Sequence, residues 1–162
     1  MEDKKYEFTG ETKVELGITF NRIKALRNFG SVTAGEIGGW VESEKNLSHA
    51  GSCWVYDDAQ ISGNARISGN AHIWGNARIS GNARIWGDAQ ISKPHHVLNV
   101  IGLNYDLTLT PQLVFGGCRS FTHDEFKNLT IDNCQSSWLP DELENYKSLL
   151  DIFQRQMKIY GE

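Results

Sequence analysis

The sequence predicts a mainly β protein: a short left-handed parallel β-helix with an N-terminal β cap, followed by a C-terminal β-hairpin and α-helices. Three observations carry this. A β-branched residue returns every six positions, through Val55, Ile61, Ile67, Ile73, Ile79, Ile85 and Ile91. An alanine stands two residues before each isoleucine, at Ala59, Ala65, Ala71, Ala77, Ala83 and Ala89. A turn pair closes each unit, at Gly63-Asn64, Gly69-Asn70, Gly75-Asn76, Gly81-Asn82 and Gly87-Asp88.

Each observation has a physical meaning. Residues two apart on a strand share a face, so the Ala-x-Ile triplet makes one short strand with Ala and Ile pointing inward. Gly-Asn supplies the positive φ of a tight corner. Six residues per side close after three sides, so one coil takes 18 residues. The inward positions then stack into Ile and Ala ladders, each coil burying the next. The regular repeat covers some two coils, and the ends of so short a ladder require covering.

The flanks divide the chain into three parts. Residues 1–52 read as the N-terminal cap and a first imperfect coil. Lys5-Tyr6-Glu7-Phe8 alternates, and Ile18 to Ile23 is β-rich, though also compatible with a short helix. The glycines of Gly35 to Glu42 mark a bend before an apolar pair. Leu47-Ser48 falls near the six-residue phase but out of it, which places a two-residue insertion at that corner. Residues 53–96 form the β-helix, which decays at Lys93-Pro94-His95-His96. Residues 97–162 hold a hairpin of two strand-like runs, Val97 to Leu103 and Leu107 to Phe115, joined at Asn104-Tyr105-Asp106 and closed by Gly116-Gly117. Thr122 and Glu125 make a capping box for a short helix running to about Leu129. Pro140 opens a last helix that ends before Gly161, with Leu143, Tyr146, Leu150, Phe153, Met157 and Tyr160 in one stripe. That stripe serves either packing onto the same domain or a helix–helix dimer seam.

Residues 18 apart share an outer face. One face carries Trp54, Tyr56, His72, Trp74, Gln90 and Ser92. A second carries Gln60, Ser62, Arg78 and Ser80, and a third Arg66, Ser68, Arg84 and Trp86. Aromatic residues flanked by arginine have the composition of a contact surface. Trp54, Tyr56, His72, Trp74 and Trp86, with Arg66, Arg78 and Arg84, are therefore the candidate binding residues. The competing reading is that terminal segments of the same chain cover the aromatic face.

Nothing in the sequence reads as a catalytic centre. The five histidines are His49, His72, His95, His96 and His123, and none has a carboxylate at a spacing that would orient it. His95, His96 and a cysteine lack metal-ligand spacing, so no metal and no cofactor is expected. There is no phosphate-binding glycine loop and no nucleophile elbow.

Composition narrows the function classes further. With 16 Lys and Arg against 20 Asp and Glu, the net charge of −4 gives no basic footprint for nucleic acid. Cys53, Cys118 and Cys134 are odd in number and widely spaced, as expected of free thiols in a reducing compartment. The charged N-terminus and the lack of a long apolar run predict neither a signal peptide nor a membrane span. The expectation is a cytosolic protein.

The repeat resembles the hexapeptide-repeat family, in which acyltransferases are common and use a histidine on or beside the helix as a base. The wider layout resembles a family of uncharacterised phage and prophage hexapeptide-repeat proteins. The resemblance rests on Arg22 to Gly30, on Val32 to Glu42, on Asn46-Leu47-Ser48, on Cys53-Trp54-Val55-Tyr56, and on Gly117-Cys118-Arg119 with Phe121 to Phe126. It implies a protein of the bacterial host cytosol and no particular activity. The expected function is that of a non-enzymatic interaction protein, self-associating as a dimer or trimer. A counter-defence inhibitor, binding a host bacterial protein or sequestering a signalling nucleotide, is the alternative, and a small acyltransferase a third.

Overall fold

A computed structural model describes residues 4–100, 106–116, 119–130 and 140–160. Gly117, Cys118, Cys134, Gly161, the stretch 101–103 and the Asn104-Tyr105 part of the expected turn lie outside the described residues. The chain divides into two compact units, Met1–Pro94 and His95–Glu162.

The first unit is a parallel β-solenoid with an antiparallel hairpin added to one side. Strands β1 (Tyr6–Glu15) and β2 (Ile18–Ala25) pair antiparallel, and β2 pairs with β3 (Ile37–Val41). The ambiguity at Ile18 to Ile23 is thus resolved as strand. Seven two-residue strands follow: β4 (Trp54–Val55), β5 (Gln60–Ile61), β6 (Arg66–Ile67), β7 (His72–Ile73), β8 (Arg78–Ile79), β9 (Arg84–Ile85) and β10 (Gln90–Ile91). They stack in three parallel files: β3-β5-β8, β6-β9, and β4-β7-β10. Gln60 lies opposite Arg78, Arg66 opposite Arg84, and Trp54 opposite His72, each a step of 18 residues.

The inward ladder is complete. All six repeat alanines and all six isoleucines are buried, together with Val41, Leu47 and Val55. Both residues of each short strand pair with the next coil. The coils are tied by bonds at fixed positions, such as the Trp54 N–H to the Ala71 carbonyl (3.0 Å) and the Gln60 N–H to the Ala77 carbonyl (2.9 Å). Corner side chains form a second ladder. Ser52 donates to Asn70 (2.8 Å), Asn70 to Asp88 (3.1 Å), and Asn64 to Asn82 (3.3 Å).

The corners behave as their chemistry requires, with Gly69 at φ +66° so close to the backbone nitrogen of Gly87 that a Cβ would lie 2.7 Å from it. One corner departs from glycine. Asp57 takes φ +50°, and its carboxylate accepts from the Gly75 N–H at 3.0 Å. The short polar side chain thereby offsets part of the left-handed strain.

One sequence expectation changes in the first unit and another is located. Gly38 and Gly39 do not mark a bend: both are buried inside β3. Side chains there would collide with Trp54 and Ile23 at Gly38, and with Val55 at Gly39, all at 2.6–2.7 Å. The glycines let β3 press against the coil. The insertion is real: Leu47 bridges to Ile67, a step of 20, while Val55 pairs Ile73 at 18. The two additional residues therefore sit between Leu47 and Val55.

The second unit is an antiparallel meander with helices, not a single hairpin. Strands β11 (Leu98–Val100), β12 (Leu107–Leu109), β13 (Leu113–Gly116) and β14 (Arg119–Thr122) pair in sequence order. The run expected as one strand, Leu107 to Phe115, breaks because Thr110 turns the chain. Its backbone N–H and its hydroxyl both donate to the Leu113 carbonyl, each at 2.9 Å. Helix α1 (His123–Lys127) starts with the expected capping box, Thr122 with Glu125. Helix α2 (Pro140–Tyr160) buries Leu143, Tyr146, Leu150, Phe153 and Met157 in one core with Leu107, Leu109, Val114, Phe121 and Phe126. The stripe serves packing onto its own sheet, and of its six residues Tyr160 at the end is exposed.

Candidate functional site

The outer faces of the coil place the eight candidate residues in three different situations. Trp54, a candidate contact residue, has no exposed surface, which follows the competing reading that segments of the same chain cover it. Its ring is covered by Tyr6 (centroids 6.2 Å apart) and by Phe29 (5.3 Å), both edge-on. The reason is that the segment before β3 folds back over the first coil, where the stacking ladder has no preceding coil to cover it. Trp54 therefore offers no surface to a partner.

Arg78 is exposed but engaged. Its guanidinium meets the Glu15 carboxylate at 3.0 Å. Glu15 also accepts from Gln60 Nε2 at 3.1 Å and lies 3.5 Å from Lys13 Nζ. The Gln60 hydrogen bond, with the charges of Lys13 and Arg78, holds the Glu15 carboxyl below the usual carboxylate range. A cleft of about 150 Å³ opens beside this contact, lined by Leu16, Ile18, Phe20, Ser62 and Ser80 among others. Glu15 was invisible as a partner in the sequence, because only the β1–β2 hairpin brings it to the coil.

The remaining six stay at the surface on two faces. Tyr56, His72 and Trp74 lie half-buried on the β4-β7-β10 file. Tyr56 meets His72 edge-on at 5.7 Å, and its hydroxyl is 3.2 Å from that of Ser31. Among the described residues, no hydrogen bond or ion pair engages the His72 ring. Arg66 and Arg84, both exposed, stand side by side on the β6-β9 file, with Trp86 half-buried two residues beyond Arg84. The eight residues therefore do not form one patch.

The second unit has a cleft of its own, about 410 Å³, lined by His96, Pro111, Gln112, His123, Gln154, Met157 and Lys158. Here His123 is fixed at both ring nitrogens. Nε2 donates to the Thr110 carbonyl (2.8 Å) and Nδ1 accepts from Gln154 Nε2 (2.9 Å). A ring engaged at both nitrogens is a structural clamp and has no ring nitrogen left for a substrate proton. Among the described residues, no group of three or more His, Cys, Asp or Glu side chains is placed to hold a metal ion. No helix of the described residues is long and apolar enough to cross a membrane.

Comparison with known proteins agrees with this geometry at the level of the repeat. Residues 59–75 and 77–93 match the family model described as YdcK Beta solenoid repeat. The chain is 37% identical over 65 residues to a protein of Escherichia coli (strain K12) named "Uncharacterized acetyltransferase YdcK", an alignment covering 36% of this chain and 20% of that protein. The chain thus spans about a fifth of the curated relative it matches. Residues 59–93 are, in sequence and in structure, β-solenoid repeats of the hexapeptide type.

Proposed function

We propose that the chain is a left-handed β-solenoid interaction protein without catalytic activity, of phage or prophage origin and acting in the bacterial cytosol. In this reading the coil associates with a second copy through the file that carries Tyr56, His72 and Trp74. The observation that carries it is the Trp74 indole, half-buried beside His72 and Tyr56 on a rigid sheet. Rigid aromatic groups lose little entropy on contact and dominate the core of many interfaces. Arg66, Arg84 and Trp86 on the neighbouring file supply a rim for the same partner.

The test is native mass spectrometry across micromolar concentrations. A dimer or trimer that Trp74→Ala converts to monomer supports the reading; a wild-type monomer throughout sinks it. A stable added mass from the host would instead mark a blocking role against a host factor.

A second reading is favoured by the name of the Escherichia coli relative. An acetyltransferase would use His72 as base toward a hydroxyl or amine acceptor. Against it stands the unoriented ring, since a catalytic base is ordinarily held by a third group. Turnover of acetyl-coenzyme A by the wild type and its loss in His72→Ala would favour the enzyme.

A further inference from the structure

Two reactive groups meet at the head of the first unit, away from every surface considered above. Lys5, immediately before β1, is completely buried, as is Cys53, just before β4. The Lys5 Nζ donates to the Cys53 carbonyl at 2.7 Å and to the Cys53 Sγ at 3.2 Å. It also lies 4.9 Å from the centroid of the Phe29 ring. The Lys5 backbone is pinned in turn, its N–H donating to His49 Nδ1 at 3.1 Å. The amine is thus aimed at the sulfur by backbone as well as side-chain contacts.

A buried lysine is ordinarily matched by a carboxylate. None contacts Lys5 among the described residues, and its polar acceptors both belong to Cys53. Burial, with Arg27 nearby, lowers the Lys5 pKa, against the opposing influence of Cys53. A lowered pKa brings the amine closer to its nucleophilic form than that of an exposed lysine. Cys53 Sγ lies 3.6–3.8 Å from the carbonyl oxygens of Ser48, Ala50 and Ile67. The thiol is free.

We propose that Lys5 and Cys53 are a site of oxidative cross-linking, joined through one oxygen atom as Nζ–O–Sγ. The oxidant is dioxygen. One of its atoms enters the bridge and the other leaves as water. The amine gives up one hydrogen and the thiol its only one, and both depart in that water. Nitrogen and sulfur are together oxidised by four electrons, and dioxygen is reduced by four. At 3.2 Å the two atoms stand too far apart for a direct bond, yet close enough for a single bridging atom. The oxidant enters by local opening of the bends at residues 48–52, which include exposed Ala50 and Gly51. The bridge would tie the head of β1 to the first coil and lock the cover over Trp54. Thiol reductants reverse it, returning amine, thiol and water.

The test uses the full chain carrying Cys118→Ser and Cys134→Ser, so that Cys53 is its one thiol. The protein is aerated and analysed without reductant by intact mass and peptide mapping. The expected result is a gain of about 14 Da, a cross-linked peptide pair containing Lys5 and Cys53, and reversal by dithiothreitol. Lys5→Arg keeps a long side chain with N–H donors toward Cys53 but removes the primary amine, and is to lose the cross-link while retaining its β circular dichroism. Gains of about 16 or 32 Da on Cys53 with Lys5 unmodified overturn the proposal. So does recovery of the Lys5 and Cys53 peptides unmodified and unlinked after oxidation sufficient to convert the methionines to sulfoxide.

Discussion

Trp40 lies opposite Gln60 in parallel register, 20 positions on, although Gln60 lies opposite Arg78 only 18 positions on. The first coil is therefore longer than those below it. It still joins the same file, because the additional residues form a loop between Leu47 and Val55. Trp40 itself is buried beneath Lys13 and Arg22, whose cations sit 4.4 and 4.9 Å from its ring. Those contacts fasten the hairpin across the coil.

Removing one rung of the ladder should destabilise the whole solenoid. Ile73 is fully buried between Val55 and Ile91. Ile73→Ala is expected to cost about 2–5 kcal/mol by lost burial and cavity formation. Because neighbouring coils stabilise one another, the loss should appear as a lower midpoint of a single transition in chemical denaturation. A change below half a kilocalorie would show that the ladder is not continuous.

The two tryptophans of one face should behave oppositely. Trp54→Ala empties a site enclosed by Tyr6 and Phe29 and is expected to cost about 3–5 kcal/mol. Trp74→Ala should leave the denaturation midpoint nearly unchanged and alter only association. Thermal melts beside sedimentation velocity distinguish these results.

Glycine positions should differ according to the space around them. Gly38→Ala places a methyl against Trp54, Ile23 and the Val55 carbonyl, and overpacking of this sort costs about 1–3 kcal/mol. Gly10→Ala meets no atom within 4 Å and bears only its left-handed backbone, φ +90°. Gly38→Ala is expected to lower the melting temperature more. An equal effect at both positions would mean that close approach of β3 is not what requires glycine.

The Glu15 contact should be pH-dependent. Its carboxyl is held below the ordinary range, so its contribution is present above the unfolded-state value of about 4.3. The contribution is lost as pH falls through the lower folded value. Glu15→Gln should therefore be less stable than wild type near neutrality and converge with it at strongly acidic pH. Urea titrations of the two proteins at a series of pH values measure this, and parallel curves would exclude the ion pair as the cause.

The cap of α1 should act within the second unit. The Thr122 hydroxyl accepts from the Glu125 N–H at 3.2 Å, and the Glu125 carboxylate accepts from the Thr122 N–H at 2.7 Å. Thr122→Ala is expected to cost about 1 kcal/mol. Hydrogen exchange should quicken at Glu125 to Lys127 and stay unchanged at Ile61 to Ile91.

The sequence by itself determined whatever repeats or is local. The coil, its 18-residue step, the corner glycines, the insertion after Leu47, the capping box of α1 and the stripe of α2 all follow from spacings within a few residues. Such spacings directly state which side of a strand or helix is buried. Only the tertiary structure decided what lies over the coil. That Tyr6 and Phe29 bury Trp54, that Glu15 reaches Arg78, and that Lys5 points at Cys53 depend on a hairpin folding back across dozens of residues. The break at Thr110 likewise depends on a side chain competing with the ladder for the Leu113 carbonyl. No periodicity records these contacts, because each is made once, between segments with no shared register. The outer surface was therefore legible in its composition but not in its exposure, and exposure decides which of its aromatic residues can meet a partner.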